Sequence, residues 1–227
     1  LVMGHEIVGE IVSGDTTEDV KVGTRVLVDP VLFCGKCFHC YRGETQLCPN
    51  GGIMGREVNG GFADYCVANT THTYKLPDEI DGKTGAAVQV LTTVLHAQDN
   101  GGVGEGDTVT VTGLGVTGLM HIQLAKARGA KRVIGVSRNA HKREVALALG
   151  ADVAVTHGAD AKKAVLDNTG GVGADVVIEC VGAMPVLAEA MDLARLGGRL
   201  IPFAIYPSGK AELPFYDLYF KELQVLN

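Results

Sequence analysis

Asp107-Thr108-Val109-Thr110-Val111-Thr112-Gly113-Leu114-Gly115-Val116-Thr117-Gly118 is the stretch on which the fold of this chain turns. Residues 107–112 are a β-branched run, which predicts a strand. Residues 116–128 are rich in strong helix formers. Between them Gly113, Gly115 and Gly118 stand in G-x-G-x-x-G spacing. That spacing alone is a weak signal; between a strand and a helix it gains meaning. The first Gly permits a tight turn, the second lets a pyrophosphate approach the backbone, and the third lets helix and strand pack closely. The helix N-terminus adds unpaired N–H groups and a positive partial charge. Leu114, Val116 and Thr117 complete the loop as candidate cofactor-binding residues. The bland alternative is a plain Gly-rich turn.

Outward from this loop the pattern repeats. Residues 132–136, 152–155, 174–180, 199–203 and 222–226 read as strands, and 141–149, 161–169 and 185–196 as helices, with Gly150 and Gly197-Gly198 as stops. Alternating elements of this kind make a doubly wound parallel sheet, and six strands match a Rossmann domain. Upstream, 84–98 has helical length. Before it the texture is β-like, with strands expected at 6–12, 25–28 and 62–67 and turns at Gly14-Asp15 and Val22-Gly23. The expected organisation is α/β, with a β-rich domain over 1–86 and a Rossmann domain over 87–227. Val181-Gly182 and Phe203-Ala204 follow strand ends, where this fold binds its ligand.

The end of the second strand of the sheet bears on the cofactor. An NAD site places Asp or Glu there for the ribose 2′-OH. This chain has Ser137-Arg138-Asn139, then Lys142 and Arg143. Ser137 removes the carboxylate that would repel a 2′-phosphate, and Arg138 can grip one bidentately. NADP is therefore favoured over NAD. The alternative is a solvated helix start, against which three cations beside a helix N-terminus oppose its dipole.

Cys34-x2-Cys37-x2-Cys40-x7-Cys48 lies in a Gly- and Cys-rich stretch, 33–61, that lacks periodicity and needs a staple. Four thiolates at this spacing close a tetrahedron around Zn²⁺ with no open position. The rival is an iron–sulfur site, whose bacterial run also ends in Cys-Pro, as Cys48-Pro49 does here. His39 reads as a bystander. Cys66 and Cys180 fall in expected strands and read as buried and inert. His96, His121 and His141 read as ordinary polar helix positions, and His72 and His157 carry no pattern.

The 227 residues are 46% hydrophobic with a net charge of −6, and no basic block invites nucleic acid. No apolar run approaches the ~20 residues of a membrane span, and no charged-then-apolar leader is present. With clustered cysteines, this predicts a cytoplasmic protein. The chain begins mid-pattern at Leu1 and ends on a strand just begun, so it is expected to be cut from a longer one at both ends.

Gly4-His5-Glu6, the four-cysteine stretch, Gly60-Gly61-Phe62-Ala63-Asp64-Tyr65 and the glycine loop occur in an order that resembles the zinc-containing medium-chain alcohol, sorbitol and threonine dehydrogenases. Gly173-Ala174-Asp175-Val176-Val177-Ile178-Glu179-Cys180-Val181-Gly182 and Gly197-Gly198-Arg199-Leu200 agree. The resemblance implies a partial GroES-like catalytic domain ahead of the Rossmann domain. It implies hydride transfer between NAD(P) and a secondary alcohol or polyol and its ketone. It also implies a catalytic zinc, with His5 as a ligand and Glu6 as the adjacent carboxylate. Counting back from Thr93-Val94-Leu95-His96 puts Gln89 at the third-ligand position, where a neutral amide is a poorer donor. The family's cysteine ligand and proton relay lie upstream of Gly-His-Glu and are not in this sequence. Thr93 resembles the threonine close to the nicotinamide. Homodimers or tetramers are implied. Two other readings stay open: a metal-independent NADP reductase on the same scaffold, and a non-catalytic nucleotide-binding fragment.

Overall fold

The computed structural model describes residues 1–15, 17–208 and 212–226. They form two compact units, Leu1–Thr92 and Thr93–Asn227.

In the first unit β1 (Ile7–Glu10), β2 (Arg25–Val28), β3 (Val31–Leu32), α1 (Phe38–Tyr41), β4 (Gly52–Ile53) and β5 (Thr73–Lys75) precede α2 (Gly82–Asn100), which runs on into the second unit. An antiparallel sheet takes the order β1-β2-β5, and β3 pairs with β4 as a separate ribbon. Ile7, Val28 and Met54 make a small core. The Arg25 guanidinium donates to the carbonyls of Pro77, Asp78 and Ile80. Asp81 then caps α2, accepting the Thr84 N–H at 2.8 Å, and that bond draws its carboxyl below the usual range.

The strand expected at 62–67 does not form. Phe62, Tyr65 and Val67 are exposed. The N–H groups of Gly60, Gly61 and Phe62 donate to the carbonyls of Val2, Gly4 and Met3, which lie outside any strand. Alternation describes a strand only where a neighbouring strand accepts its backbone. Cys66 is accordingly exposed rather than buried.

The second unit continues with β6 (Thr108–Thr112), α3 (Val116–Ala127), β7 (Arg132–Val136), α4 (Ala140–Ala148), β8 (Val153–Val155), α5 (Ala159–Thr169), β9 (Ala174–Glu179), α6 (Met184–Leu193), β10 (Ala194–Pro202), α7 (Phe215–Phe220) and β11 (Gln224–Val225). The sheet order is β11-β10-β9-β6-β7-β8, with every pair parallel. This is the doubly wound order with its reversal between β6 and β9. Alternate residues feed two separate apolar layers: Val176 and Ile178 join Val109, Val111, Ile122 and Val133, whereas Val177 joins Ile134, Val136 and Leu200. Each such buried side chain contributes about 1.5–3 kcal/mol; both faces of the sheet are covered, so even the Thr108, Thr110 and Thr112 that alternate with valines in β6 are buried.

Some boundaries differ from the sequence reading. Helix α6 stops at Leu193 and β10 follows at once, with Ala194 extended and paired to Ala174 of β9, while Lys221 donates to the carbonyls of Met191, Asp192 and Ala194 that the helix end leaves free. The last strand shrinks to Gln224–Val225, following Glu222 at φ 50°, and Asn227 lies outside the described residues. His121 is no ordinary polar position. It is fully buried, receives the Gln98 amide on Nδ1 at 3.1 Å and on its carbonyl at 2.9 Å, and meets the Phe203 ring edge-on. Burial brings its pKa down to about 3. No helix among the described residues is long and apolar enough to cross a membrane.

Candidate functional site

The three glycines of the loop meet three different surroundings. Gly113 has φ 91°, and a Cβ there would come within 2.6 Å of Val181 Cγ2. A Cβ on Gly118 would overlap the Gly113 carbonyl oxygen. A Cβ on Gly115 would meet nothing within 4 Å, and its φ of −82° suits any residue. Chain packing therefore requires Gly113 and Gly118 but not Gly115. The absent side chain at Gly115 leaves space above the N-terminus of α3, which carries no side-chain cap. The first-turn N–H groups of a helix lack partners within it, so an anion fits here. Leu114 turns inward beneath Gly135, Val116 is exposed, and Thr117 bonds the Cys180 thiol. Burial pushes that thiol up, and Cys180 lies partly covered just past β9 rather than within it.

At the end of β7, Ser137 is buried and its hydroxyl accepts the Asn139 N–H at 3.3 Å. Asn139 caps α4 by accepting from Lys142 N. The Arg143 guanidinium donates to the carbonyls of Ser137 and Arg138. Arg143 is thus committed to the backbone, while Arg138 and Lys142 stand exposed.

The ends of β9 and β10 converge on the same loop. Gly113 abuts Cys180 and Val181, and a Cβ on Gly182 would lie 2.6 Å from the Ile205 carbonyl oxygen. Phe203 and Ala204 donate their N–H groups to the Glu179 carbonyl at 3.0 Å each. The Glu179 carboxylate, fully buried, accepts from Val181 N at 2.7 Å, from Gly182 N and from the Tyr206 hydroxyl. Sequence reasoning missed Glu179 and Tyr206. The available signal was an acid closing the apolar run 176–178. Thr93 is exposed on α2.

In the first unit the four cysteines come together, with every sulfur within 4.8 Å of the others. Cys37 Sγ lies 3.4 Å from Cys40 and 3.8 Å from Cys48, and Cys34 lies 4.0 Å from Cys40. Zn–S bonds of ~2.3 Å at tetrahedral angles place sulfurs about 3.8 Å apart. The donor set therefore fits one zinc ion. A multi-iron cluster needs a wider opening than these sulfurs leave, which removes the iron–sulfur alternative. Cys37 precedes α1, Cys40 lies within it, and Cys48 follows a 3-10 turn at Thr45–Leu47. The Lys36 N–H, helped by the neighbouring sulfurs, brings the Cys34 thiol down to about 6, toward the thiolate a metal needs. His39 stays off the site, paired with Glu44 at 3.0 Å.

His5 and Glu6 are exposed just before β1. Their approach is fixed by glycines. Gly4 has φ 97° with the Phe62 ring where its Cβ would be, and Cβ atoms on Gly55 and Gly60 would run into the Gly4 backbone. Among the described residues no third His, Cys, Asp or Glu joins His5 and Glu6 as a metal-binding group. Gln89 is half-buried on α2.

Comparison with known proteins places these features in context. The family model described as zinc-binding dehydrogenase matches residues 116–227, and that of the alcohol dehydrogenase GroES-like domain matches residues 1–78. A sorbitol dehydrogenase from Halalkalibacterium halodurans is 34% identical over 229 residues, covering 99% of this chain and 67% of the relative. An L-threonine 3-dehydrogenase from Pyrococcus abyssi is 35% identical over 227 residues, covering 99% and 65%. A solved structure from Sinorhizobium meliloti, described as a zinc-binding dehydrogenase bound to NADP, superposes with a TM-score of 0.88 at 35% identity, covering 99% of this chain and 68% of that one. The chain spans about two thirds of the length of the curated relatives it matches.

Proposed function

Because the chain belongs to the zinc-containing medium-chain alcohol and polyol dehydrogenases, we propose that it supplies the dinucleotide-binding unit and the zinc-lobed unit of an NAD(P)-dependent oxidoreductase. Its substrate class is a secondary alcohol or polyol and the matching ketone. The observation that carries the reading is the open approach at Gly115 above an uncapped helix N-terminus. A dinucleotide whose pyrophosphate is held there would supply the hydride acceptor or donor for the carbinol carbon. The loop 113–118 holds the pyrophosphate. Ser137, Arg138 and Lys142 border the adenosine half, and Thr93, Val181, Gly182, Phe203 and Ala204 the nicotinamide half.

NADP is preferred over NAD in this reading. Its support is the lack of a carboxylate at the end of β7 and the exposed Arg138 and Lys142 beside it. Cys34, Cys37, Cys40 and Cys48 would hold one zinc in a structural role, since four thiolates leave no open position. His5 and Glu6 are the polar pair assigned to the reacting alcohol. A second zinc does not fit the donors described, because Gln89 offers only a neutral amide. Assembly into dimers or tetramers through the sheet edge belongs to the same reading, supported by the exposure of Gln224 and Val225 in the outermost strand. So does a cytoplasmic setting, where thiols stay reduced for metal.

Calorimetric titration with NADPH and NADH, then reduction of NADP⁺ and NAD⁺ by a panel of secondary alcohols and polyols, tests this. Saturable binding, tighter for NADPH, with turnover of one polyol class is the expected result. A chain that binds neither dinucleotide would refute it.

A further inference from the structure

Glu179 is the last residue of β9, an acid that follows three apolar residues, Val176-Val177-Ile178, with its side chain fully buried. Burying a carboxylate is costly unless donors satisfy it. The donors here are Val181 N, Gly182 N and the Tyr206 hydroxyl, while the Glu179 carbonyl takes Phe203 N and Ala204 N. None of the three side-chain bonds belongs to the sheet ladder, which is complete without them. All three reach segments that leave the carboxyl ends of β9 and β10. Gly182, at φ 79°, packs against the Ile205 carbonyl, so the two segments are already in contact.

We infer that Glu179 is a positioning residue for the nicotinamide half of the dinucleotide, its carboxylate fixing the Val181-Gly182 turn and the Tyr206 segment as one preformed wall. This rests on the dinucleotide-binding reading above. In the doubly wound sheet the ligand lies across the strand reversal, the adenosine half over β7 and the nicotinamide half over β9 and β10. The carboxylate touches only the second half of that path. A glutamine in its place offers one acceptor oxygen and turns an NH₂ group toward donors that need acceptors. The turn would loosen while the sheet and the phosphate loop keep their own hydrogen bonds.

The test compares E179Q and Y206F with the unsubstituted chain by calorimetric titration of NADPH, NADH, ADP and the 2′-phosphate of ADP. Amide hydrogen exchange is followed in parallel. Loss of a hydrogen bond to a charged group predicts about tenfold weaker dinucleotide binding in E179Q and a smaller loss in Y206F. ADP and its 2′-phosphate should change by less than about twofold, because no bond to the adenosine half is touched. Exchange should speed up at Val181 and Gly182 and stay unchanged in β6 and β7. Equal losses for dinucleotides and half-ligands, or no loss at all, would overturn the inference; should E179Q fail to fold, Y206F decides by the same split. An unsubstituted chain that binds no dinucleotide would instead overturn the functional reading and the positioning role with it.

Discussion

Replacing Gly115 by Ala separates ligand binding from stability, because the fold has no use for the missing side chain. The residue sits at φ −82° and ψ −167°, which alanine adopts freely, and the added Cβ meets nothing within 4 Å. Alanine restricts the unfolded chain, so G115A should raise the stability of the ligand-free protein by about 0.4–1 kcal/mol, a shift of a few degrees in Tm. The same methyl group occupies the approach of a phosphate to the first turn of α3. Losing charge-assisted N–H bonds of about 1.5–3 kcal/mol weakens dinucleotide binding roughly 10–100-fold. G118A is the contrast: its Cβ overlaps the Gly113 carbonyl oxygen, so strand and helix must separate at a cost of about 1–3 kcal/mol or more. Thermal unfolding without ligand and calorimetric titration with NADPH and NADH read both effects. If G115A binds either dinucleotide as tightly as the unsubstituted chain, no phosphate approaches that residue and the cradle has been misplaced.

Three other expectations follow from the geometry. His121 falls from 6.5 to about 3 in the folded state, so below pH 6.5 the unfolded chain takes up a proton that the native state refuses. Stability is full above pH 6.5 and declines as pH falls toward 3; at pH 5 this group alone removes about 2 kcal/mol. Urea unfolding at pH 7 and pH 5 should show that loss in the unsubstituted chain and not in H121N, and equal losses would refute it. Elemental analysis should find about one zinc per chain and none after C40S, with protease sites opening between residues 33 and 53 while the Thr93–Asn227 unit keeps its melting transition. R138A should weaken NADPH binding about tenfold and leave NADH nearly unchanged, since only the 2′-phosphate uses that guanidinium; parallel losses would mean Arg138 reads no phosphate.

The parallel sheet was legible because its signals are local and redundant. Short β-branched strands such as 132–136 and 176–178, helix stops such as Gly150 and the glycine loop each point the same way. The cysteine cluster was legible from spacing, whereas choosing one zinc over an iron–sulfur cluster needed the sulfur distances. What escaped depends on partners far away in sequence. Residues 62–67 alternate like a strand, but the adjoining N–H groups of 60–62 are taken by residues 2–4. His121 looks like any polar helix residue until Gln98, 23 positions earlier, is seen against it. Glu179 was visible as a letter, but its three donors follow from a turn and from Tyr206, 27 positions on.

The seat of His5 makes the Gly-His-Glu motif hard to transplant. Segment 2–4 is held by backbone bonds from 60–62 and by Asn59, and Gly4, Gly55 and Gly60 touch backbone to backbone with no room for a methyl group. Residues 3–8 moved into another scaffold would carry the imidazole and the carboxylate without the surface that aims them. A working graft would have to move at least two separated pieces, 1–8 and 54–62, whose meeting in space is the actual unit of inheritance. Any library that varies the motif while holding the rest fixed samples side chains on one constant platform, and a library that varies Gly55 or Gly60 tilts the platform itself.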